Sequence, residues 1–340
     1  MPPHRSEHIL AGDIGGTKCN IALFSVDRSE IGEQLVPLRT RRFASASYPR
    51  LNTILREFLA KETLLIHAAC FGVPGPVHKG EAKLTNLPWG VNAQEISEEF
   101  SIPSVHLIND LAANAYGISE LKLSDFLIVQ AGDPNLEPGN RCVISPGTGL
   151  GEAGLYWDGK RHRVWACEGG HADFAPRSEL EVALLQYLTR HFGHVSCERV
   201  TSGQGIQNIF NFLRDTGRGD PSPEVVAEMA TQDTGYVISK HAHSGSCSVC
   251  VQTMEIFVGC LAAEAGNLAL KVMAIGGVYL GGGIPVRNAE RIKSTIFLHA
   301  FADKGRMDAL MKKMPIQIIL NDQAALLGAA RYALDALIKS

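Results

Sequence analysis

Apolar residues occur in short runs separated by glycine-rich or polar breaks, and their period changes from run to run. Ile9-Leu10 and Ile21-Ala22-Leu23-Phe24 flank residues 11–17, so the chain opens as two strands joined by a glycine turn, a hairpin rather than a strand feeding a helix. Residues 34–43 mix apolar and basic positions as a third strand would. Over residues 49–61 the period lengthens, and Leu51, Ile54, Leu55, Phe58 and Leu59 fall on one helical face. Residues 64–71 read as a buried strand. It ends in Gly72-Val73-Pro74-Gly75-Pro76, too punctuated for a helix or a central strand. After a short connection over residues 83–89, Asn92 caps a helix that runs to Phe100. Val105-His106-Leu107-Ile108 is then a strand whose carboxyl end delivers Asn109-Asp110 directly into a helix over residues 111–116.

A similar order recurs. Residues 141–145 form a strand that ends in Pro146-Gly147-Thr148-Gly149-Leu150-Gly151 and returns as a strand over residues 152–157. Two glycine-threonine hairpins at comparable places predict a duplicated core. Helices follow over residues 179–191 and 203–214, with a loop over 217–223. Val251, Met254, Val258, Leu261, Ala265, Leu268 and Val272 then step by three and four along one long helix. Tyr279-Leu280 leads into Gly281-Gly282-Gly283, residues 316–320 are a buried strand, and Asn321 or Asp322 caps a last helix whose Leu326, Leu327, Ala330, Leu334 and Leu337 face inward. β-rich openings followed by β–α alternation predict an α/β protein of mixed sheets flanked by helices. At 340 residues the chain exceeds one typical core. The expected division is a small domain over 1–118, rejoined by the helix at 322–340, and a larger one over 119–321.

Composition changes this picture little. Hydrophobic residues at 45% and charged residues at 20% describe a globular chain. A net charge of −3 without a polybasic run argues against nucleic acid or an anionic membrane as partner. The first residues, Met1-Pro2-Pro3-His4-Arg5, lack the apolar core of a signal peptide. Residues 260–280, the longest apolar stretch, are broken by Glu264, Asn267 and Lys271, so no membrane span is expected. Eight cysteines scattered among apolar neighbours read as free thiols, and so as a cytoplasmic chain.

The glycine turns carry the chemistry. Backbone N–H groups at glycines approach a phosphate without a Cβ in the way, and Thr17 and Lys18 add a hydroxyl and a positive charge at the first tip. Asp13 offers a carboxylate for Mg²⁺ held through water. Two such hairpins facing each other across a cleft hold the β- and γ-phosphates of a nucleotide, while a third glycine turn gives adenine a flat backbone surface. Neither a Gly-x-x-x-x-Gly-Lys-Ser/Thr loop nor a Gly-x-Gly-x-x-Gly placed between strand and helix occurs. His241, His243, Cys247 and Cys250 lie within ten positions, a spacing open to zinc, but read as a loop leading into the long helix.

Gly12-Asp13-Ile14-Gly15-Gly16-Thr17, Pro146-Gly147-Thr148-Gly149 and Gly281-Gly282-Gly283 resemble the phosphate 1, phosphate 2 and adenosine motifs of the sugar kinase/Hsp70/actin superfamily, with its two-domain actin-like (ribonuclease H-like) ATPase fold and cleft between domains. More narrowly, Leu84-Thr85-Asn86-Leu87-Pro88-Trp89, Ile108-Asn109-Asp110, residues 168–176 and residues 198–203 are similar to the sugar-site segments of the bacterial ATP-dependent glucokinases, and the likeness runs from about Ile9 to the last helix. Lys18 departs from it, since asparagine is common there. The resemblance implies phosphoryl transfer from Mg-ATP to the 6-hydroxyl of glucose, with a homodimer as the assembly. It assigns Asp110 as the base, and Asn86, Asn109, Glu168, His171 and Glu198 to the sugar. Those residue types suit a polyol, which needs several directional donors and acceptors. Taken alone, Asp110 reads first as a helix cap, His171 as a satisfied loop histidine and Glu198 as a surface charge. A kinase for mannose, fructose or an N-acetylhexosamine fits the same motifs. A sugar-sensing regulator of this fold would carry an added DNA-binding domain, for which the start at Ile9 leaves no room, and an ATP-driven chaperone or filament has no use for the sugar set.

Overall fold

The opening hairpin lies between two apolar layers, which explains its nearly continuous hydrophobic run. A computed structural model describes residues 7–29, 32–84, 87–136 and 138–338. Alternate residues of strand β1 (His8–Ile14) point to opposite faces. Leu10 and Ile14 pack with Leu51, Ile54, Leu55 and Phe58 of the helix Leu51–Leu59, while Ile9 and Ala11 pack with Leu326, Ala329, Ala330 and Leu334 of the last helix, Ala324–Leu337. A strand covered on both faces does not alternate apolar with polar.

The chain forms two compact units, Met1–Leu123 with Asn321–Ser340, and Ser124–Leu320. In the first, β1 pairs with β2 (Lys18–Ser29), β3 (Gly32–Ala44) follows β2, and β4 (Ala68–Val73) and β5 (Ser104–Asn109) extend the other side, in the order β3-β2-β1-β4-β5. The hairpin pairings are antiparallel and the β1–β4 and β4–β5 pairings parallel. In the second unit, β6 (Phe126–Gln130), β7 (Arg141–Pro146), β8 (Leu150–Trp157), β9 (His162–Cys167), β10 (Gly277–Leu280) and β11 (Ile316–Ile319) form the sheet β9-β8-β7-β10-β11-β6. Its first five members repeat the order and the antiparallel–antiparallel–parallel–parallel sense of the first sheet. Antiparallel β6 is an added edge. The duplicated core expected from the paired glycine turns is therefore present in the topology.

Close approach of backbones secures the last helix. A Cβ on Gly328 would strike the carbonyl of Ala113, and one on Gly117 the carbonyl of Ala324, so the helices Asp110–Gly117 and Ala324–Leu337 meet backbone to backbone. Arg331 adds an ion pair with Glu120, Nε to Oε1 at 2.6 Å, which ties the turn Ile118–Glu120 to the same unit.

Several boundaries move. The strand expected over residues 64–71 begins at Ala68, because Glu62 Oε1 accepts from the N–H groups of Thr63 and Leu64 (3.0 Å each) and fixes a turn there, leaving Leu65 62% exposed. Asn92 caps its helix as expected, accepting from Glu95 N at 3.1 Å. The last helix is entered through Gln323, and Asn321 Oδ1 accepts from Gln323 N (2.9 Å) rather than from within the helix. The loop expected around His241 is a helix, Thr234–Ser244, capped by Asp233. There His241 bonds Ser246 Oγ (2.8 Å) and Glu228 Oε2 (3.2 Å), while Cys247 and Cys250 are buried in the core. Among the described residues no group of three or more His, Cys, Asp or Glu is placed to hold a metal. The long helix, Ser248–Val272, is long and apolar enough for a membrane span by length and composition alone, but it is mostly buried and its apolar side chains are part of the core of the second unit.

Candidate active site

In the first unit the phosphate-type turn is built by hydrogen bonds that the glycines permit. Gly15 N donates to Lys18 O (2.9 Å), Ser45 N donates to Thr17 O (3.0 Å), and Ser45 Oγ donates to Gly15 O (2.7 Å). Ile14 points into the core, so only its backbone is available at the turn, and Thr17 is exposed at the tip. Asp13 accepts from Asn20 Nδ2 (3.1 Å), and Asn20 Oδ1 accepts in turn from Arg42 Nε (3.0 Å). Burial pushes the Asp13 carboxyl up, while the Asn20 bond and the nearby Lys18 pull it down.

Asp110 stands at the other side of this sheet end. A Cβ on Gly72 would come within 2.9 Å of the Ala113 Cβ, with Gly12 O and the Asp110 Cα at 3.7 Å, so Gly72 lets the helix that begins at Asp110 lie close against β4 beside the hairpin. Asn109 is the N-cap of the helix, its Oδ1 accepting from Leu111 N (2.9 Å) and Ala112 N (3.2 Å), and Asp110 Oδ1 shares Leu111 N (2.9 Å). Asn109 Nδ2 donates to Gly75 O at 3.3 Å. Capping is thus supplied by the neighbour, and the Asp110 carboxylate occupies the first helical position. Asn86, expected at the sugar, lies outside the described residues.

The second unit gathers the remaining motifs. Gly147 N donates to Gly149 O (2.8 Å) and closes the second phosphate-type turn, and Gly203 N donates to Gly147 O (2.8 Å). Thr148 is exposed at its tip. Gly281 N donates to Ile144 O (2.9 Å), and Gly282 takes φ +84° with its missing Cβ 2.9 Å from Pro146 O. Gly283 begins the short helix Gly283–Arg287. Beside these turns lies a cavity of about 440 Å³ lined by Gly147, Thr148, Gly203, Gln204, Gln207, Asp233, Tyr236, Gly283 and Arg287.

The candidate sugar residues meet at Leu150. Its N–H donates to Glu198 Oε2 (2.8 Å), and its carbonyl occupies the space a Gly170 Cβ would need, within the turn Gly169–His171. Residues 172–174 pair with 195–197, Cys197 N donating to Ala172 O (2.8 Å) and Phe174 N to Val195 O (3.0 Å), which sets that turn beside Glu198. Glu168 and His171 point outward, Oε2 and Nε2 3.9 Å apart and their side chains 68% and 62% exposed. Such a group of outward acceptors and donors matches a neutral polyhydroxylated ligand rather than a point charge.

Sequence reasoning missed Gly72 and Gly75, which place Asp110 and Asn109, although the run of glycine and proline there was the signal. It also missed Gln204, Gln207, Asp233, Tyr236 and Arg287. Only Gly203-Gln204-Gly205 hinted at these, because their approach depends on the helix Thr234–Ser244 that the sequence did not reveal.

The sequence model of the glucokinase family matches residues 10–336. A glucokinase of Trichormus variabilis is 42% identical over 340 residues, covering 96% of this chain and 98% of the relative. Among solved structures, a glucokinase from an Antarctic psychrotroph superposes with TM-score 0.84 at 32% identity over 97% of this chain and 99% of that one. A glucokinase of Balamuthia mandrillaris in complex with glucose shares the fold, with TM-score 0.77 at 21% identity over 98% and 94%.

Proposed function

The chain belongs to the glucokinase family, which makes it an ATP-dependent hexose kinase, and on that premise we propose that it transfers the γ-phosphoryl group of ATP to the 6-hydroxyl of glucose through the residues assigned above. The products are glucose 6-phosphate and ADP. The observation that carries the assignment of acceptor is the convergence of Glu198 and the Glu168–His171 turn on Leu150, immediately after the Gly147–Gly149 turn.

In this reading Asp110 accepts the proton of the sugar hydroxyl as its oxygen bonds to the γ-phosphorus and the bond to the β-phosphate oxygen breaks. Asn109 positions that carboxylate by capping the helix, and uses its amide to hold Gly75. Glu168, His171 and Glu198 orient the remaining hydroxyls. The backbone of Gly12, Asp13, Ile14, Gly15, Gly16 and Thr17 takes one part of the triphosphate and that of Gly147, Thr148 and Gly149 the other. Gly281, Gly282 and Gly283 face the adenosine beside the 440 Å³ cavity. Mg²⁺ neutralises phosphate charge in such transfers when bound. Asp13 fits it, because a hard carboxylate oxygen, partly buried and steadied by Asn20, gains from a nearby cation. Eight free thiols, seven of them buried, support a reducing compartment and so the cytoplasm.

Glucose, mannose, fructose and N-acetylglucosamine, each offered with ATP and with polyphosphate while the sugar phosphate is quantified, test the reading. The highest kcat/KM is expected for glucose with ATP, and an equal or higher value for another hexose overturns it. Absence of turnover with every pair would instead favour a sugar-sensing regulator. Gly282→Ala tests the adenosine assignment. A residue other than glycine is strained at φ +84°, ψ 168°, and its Cβ presses on Pro146 O, so KM for ATP is expected to rise roughly tenfold with KM for glucose unchanged.

A further inference from the structure

Beneath the turn that carries Glu168 and His171 lies a carboxyl group to which the reaction assigns no part. Glu152, the third residue of β8, is 2% exposed. Its Oε2 fills the space a Gly169 side chain would need, so the carboxyl group is the floor on which the turn rests. Its Oε1 is shut off from solvent and has no hydrogen-bond partner.

The groups that face it come from each element around it. Glu264 and Lys271 project from the long helix, Cys142 from β7, Cys167 from β9, and Cys197 from the residue before Glu198. Glu264 is itself buried and accepts from Asn267 Nδ2 (3.0 Å) and from the Cys197 thiol (3.2 Å). Lys271 lies at the surface, its ammonium 3.9 Å from Glu264 Oε1. The compensating cation is therefore directed at Glu264, and an ionised Glu152 would face a second carboxylate without water or a donor. Burial, then the charge of Glu264, push the Glu152 carboxyl up to about 8, with Lys271 opposing. A carboxyl raised in the folded state gives stability that is complete below the ordinary carboxylate range and is lost as pH rises through 8.

We propose that Glu152 is a positioning residue for the acceptor sugar, holding Gly169 and with it Glu168 and His171 while neutral, and displacing the turn when it ionises. Ionisation removes a proton to solvent, and the charged carboxylate regains water only by moving toward the turn above it. The proposal rests on the assignment of Glu168 and His171 to glucose. Its signature is a sugar-binding step that weakens with rising pH, while binding of ATP does not.

Steady-state kinetics across about pH 6.5 to 9.5 test it, with KM for glucose and for ATP measured separately. In the wild type KM for glucose is expected to climb above pH 8, approaching about tenfold per pH unit, with KM for ATP flat. Glu152→Gln, neutral at every pH, is expected to abolish the climb, and a climb equal to that of the wild type overturns the proposal. Wild-type calorimetry provides a second reading should the variant not fold. Glucose binding near pH 8.5 is expected to take up about three-quarters of a proton, measured in buffers of different ionisation enthalpy, and uptake of none overturns the proposal. His171→Ala separates the two levels. If it leaves KM for glucose unchanged at neutral pH, the sugar assignment fails. If it raises KM while Glu152→Gln follows the wild-type profile, only the role of Glu152 fails.

Discussion

Replacing Asp110 by Asn is expected to lower kcat by about 10²–10⁴-fold, the range ascribed to a positioned general base, and to leave the Kd for glucose within a few-fold of the wild type. The amide keeps the shape of the side chain but cannot take the hydroxyl proton. Structure favours a clean result, since Asn109 caps the helix Asp110–Gly117 through Leu111 N and Ala112 N, and the substituted amide keeps an Oδ1 like the one with which Asp110 also accepts from Leu111 N (2.9 Å). Had Asp110 been the cap, loss of activity would have been mixed with fraying of the helix, a cost of about 1 kcal/mol. Single-turnover kinetics at saturating ATP, with glucose affinity from calorimetry, make the check. Retention of more than about a tenth of kcat would remove the base role from Asp110.

That separation of Asn109 from Asp110 shows what the sequence conceals. The pair was legible as the end of a strand entering a helix, and both residues were assigned to the site. Which of two adjacent cap-forming residues takes the N-cap position depends on where the strand stops hydrogen bonding. Here the parallel partner Val73 sets that point, pairing with Asn109 itself. The same dependence on partners displaced the strand at Ala68, whose start is fixed by Ile9 and Ser104 as well as by the turn at Glu62. Local apolar character made Leu64 and Leu65 look like strand, but only pairing decides.

The glycine turns were legible for the opposite reason. A turn that needs backbone groups close to a ligand or to another strand leaves glycine in the sequence, and its meaning is read from the strands on either side. The hairpin 11–17 and its counterpart 146–151 accordingly fall where expected. The cavity wall formed by Asp233 and Tyr236 was not legible, because its helix carries no long apolar stripe. Glu152 escaped notice for a related reason. A glutamate in a strand reads as a solvent-facing residue, and its burial follows from the Gly169–His171 turn resting on it and from Glu264 of the helix Ser248–Val272 beside it.

Gly328→Ala is expected to destabilise the first unit by about 3 kcal/mol or more, at the upper end for overpacking, because the added carbon meets a carbonyl rather than a flexible side chain. Its Cβ would overlap Ala113 O and lie 2.5 Å from Gly117 N, and neither can yield unless the two helices part. Parting them opens the layer in which Leu326, Ala329, Ala330 and Leu334 cover Ile9, Ala11 and Phe24 of the opening hairpin. The damage therefore reaches the phosphate-type turn through the strand that bears it. At roughly 2–4 °C per kcal/mol, the first thermal transition is expected to fall by about 6–12 °C, and KM for ATP to rise with it. Differential scanning calorimetry resolves the outcome. A fall confined to the transition of the second unit, or no fall, would mean that the last helix does not secure the first unit. Alanine elsewhere in a helix stabilises relative to glycine by about 1 kcal/mol, so the expected loss at Gly328 is opposite in sign to the intrinsic preference and isolates the backbone contact as its cause.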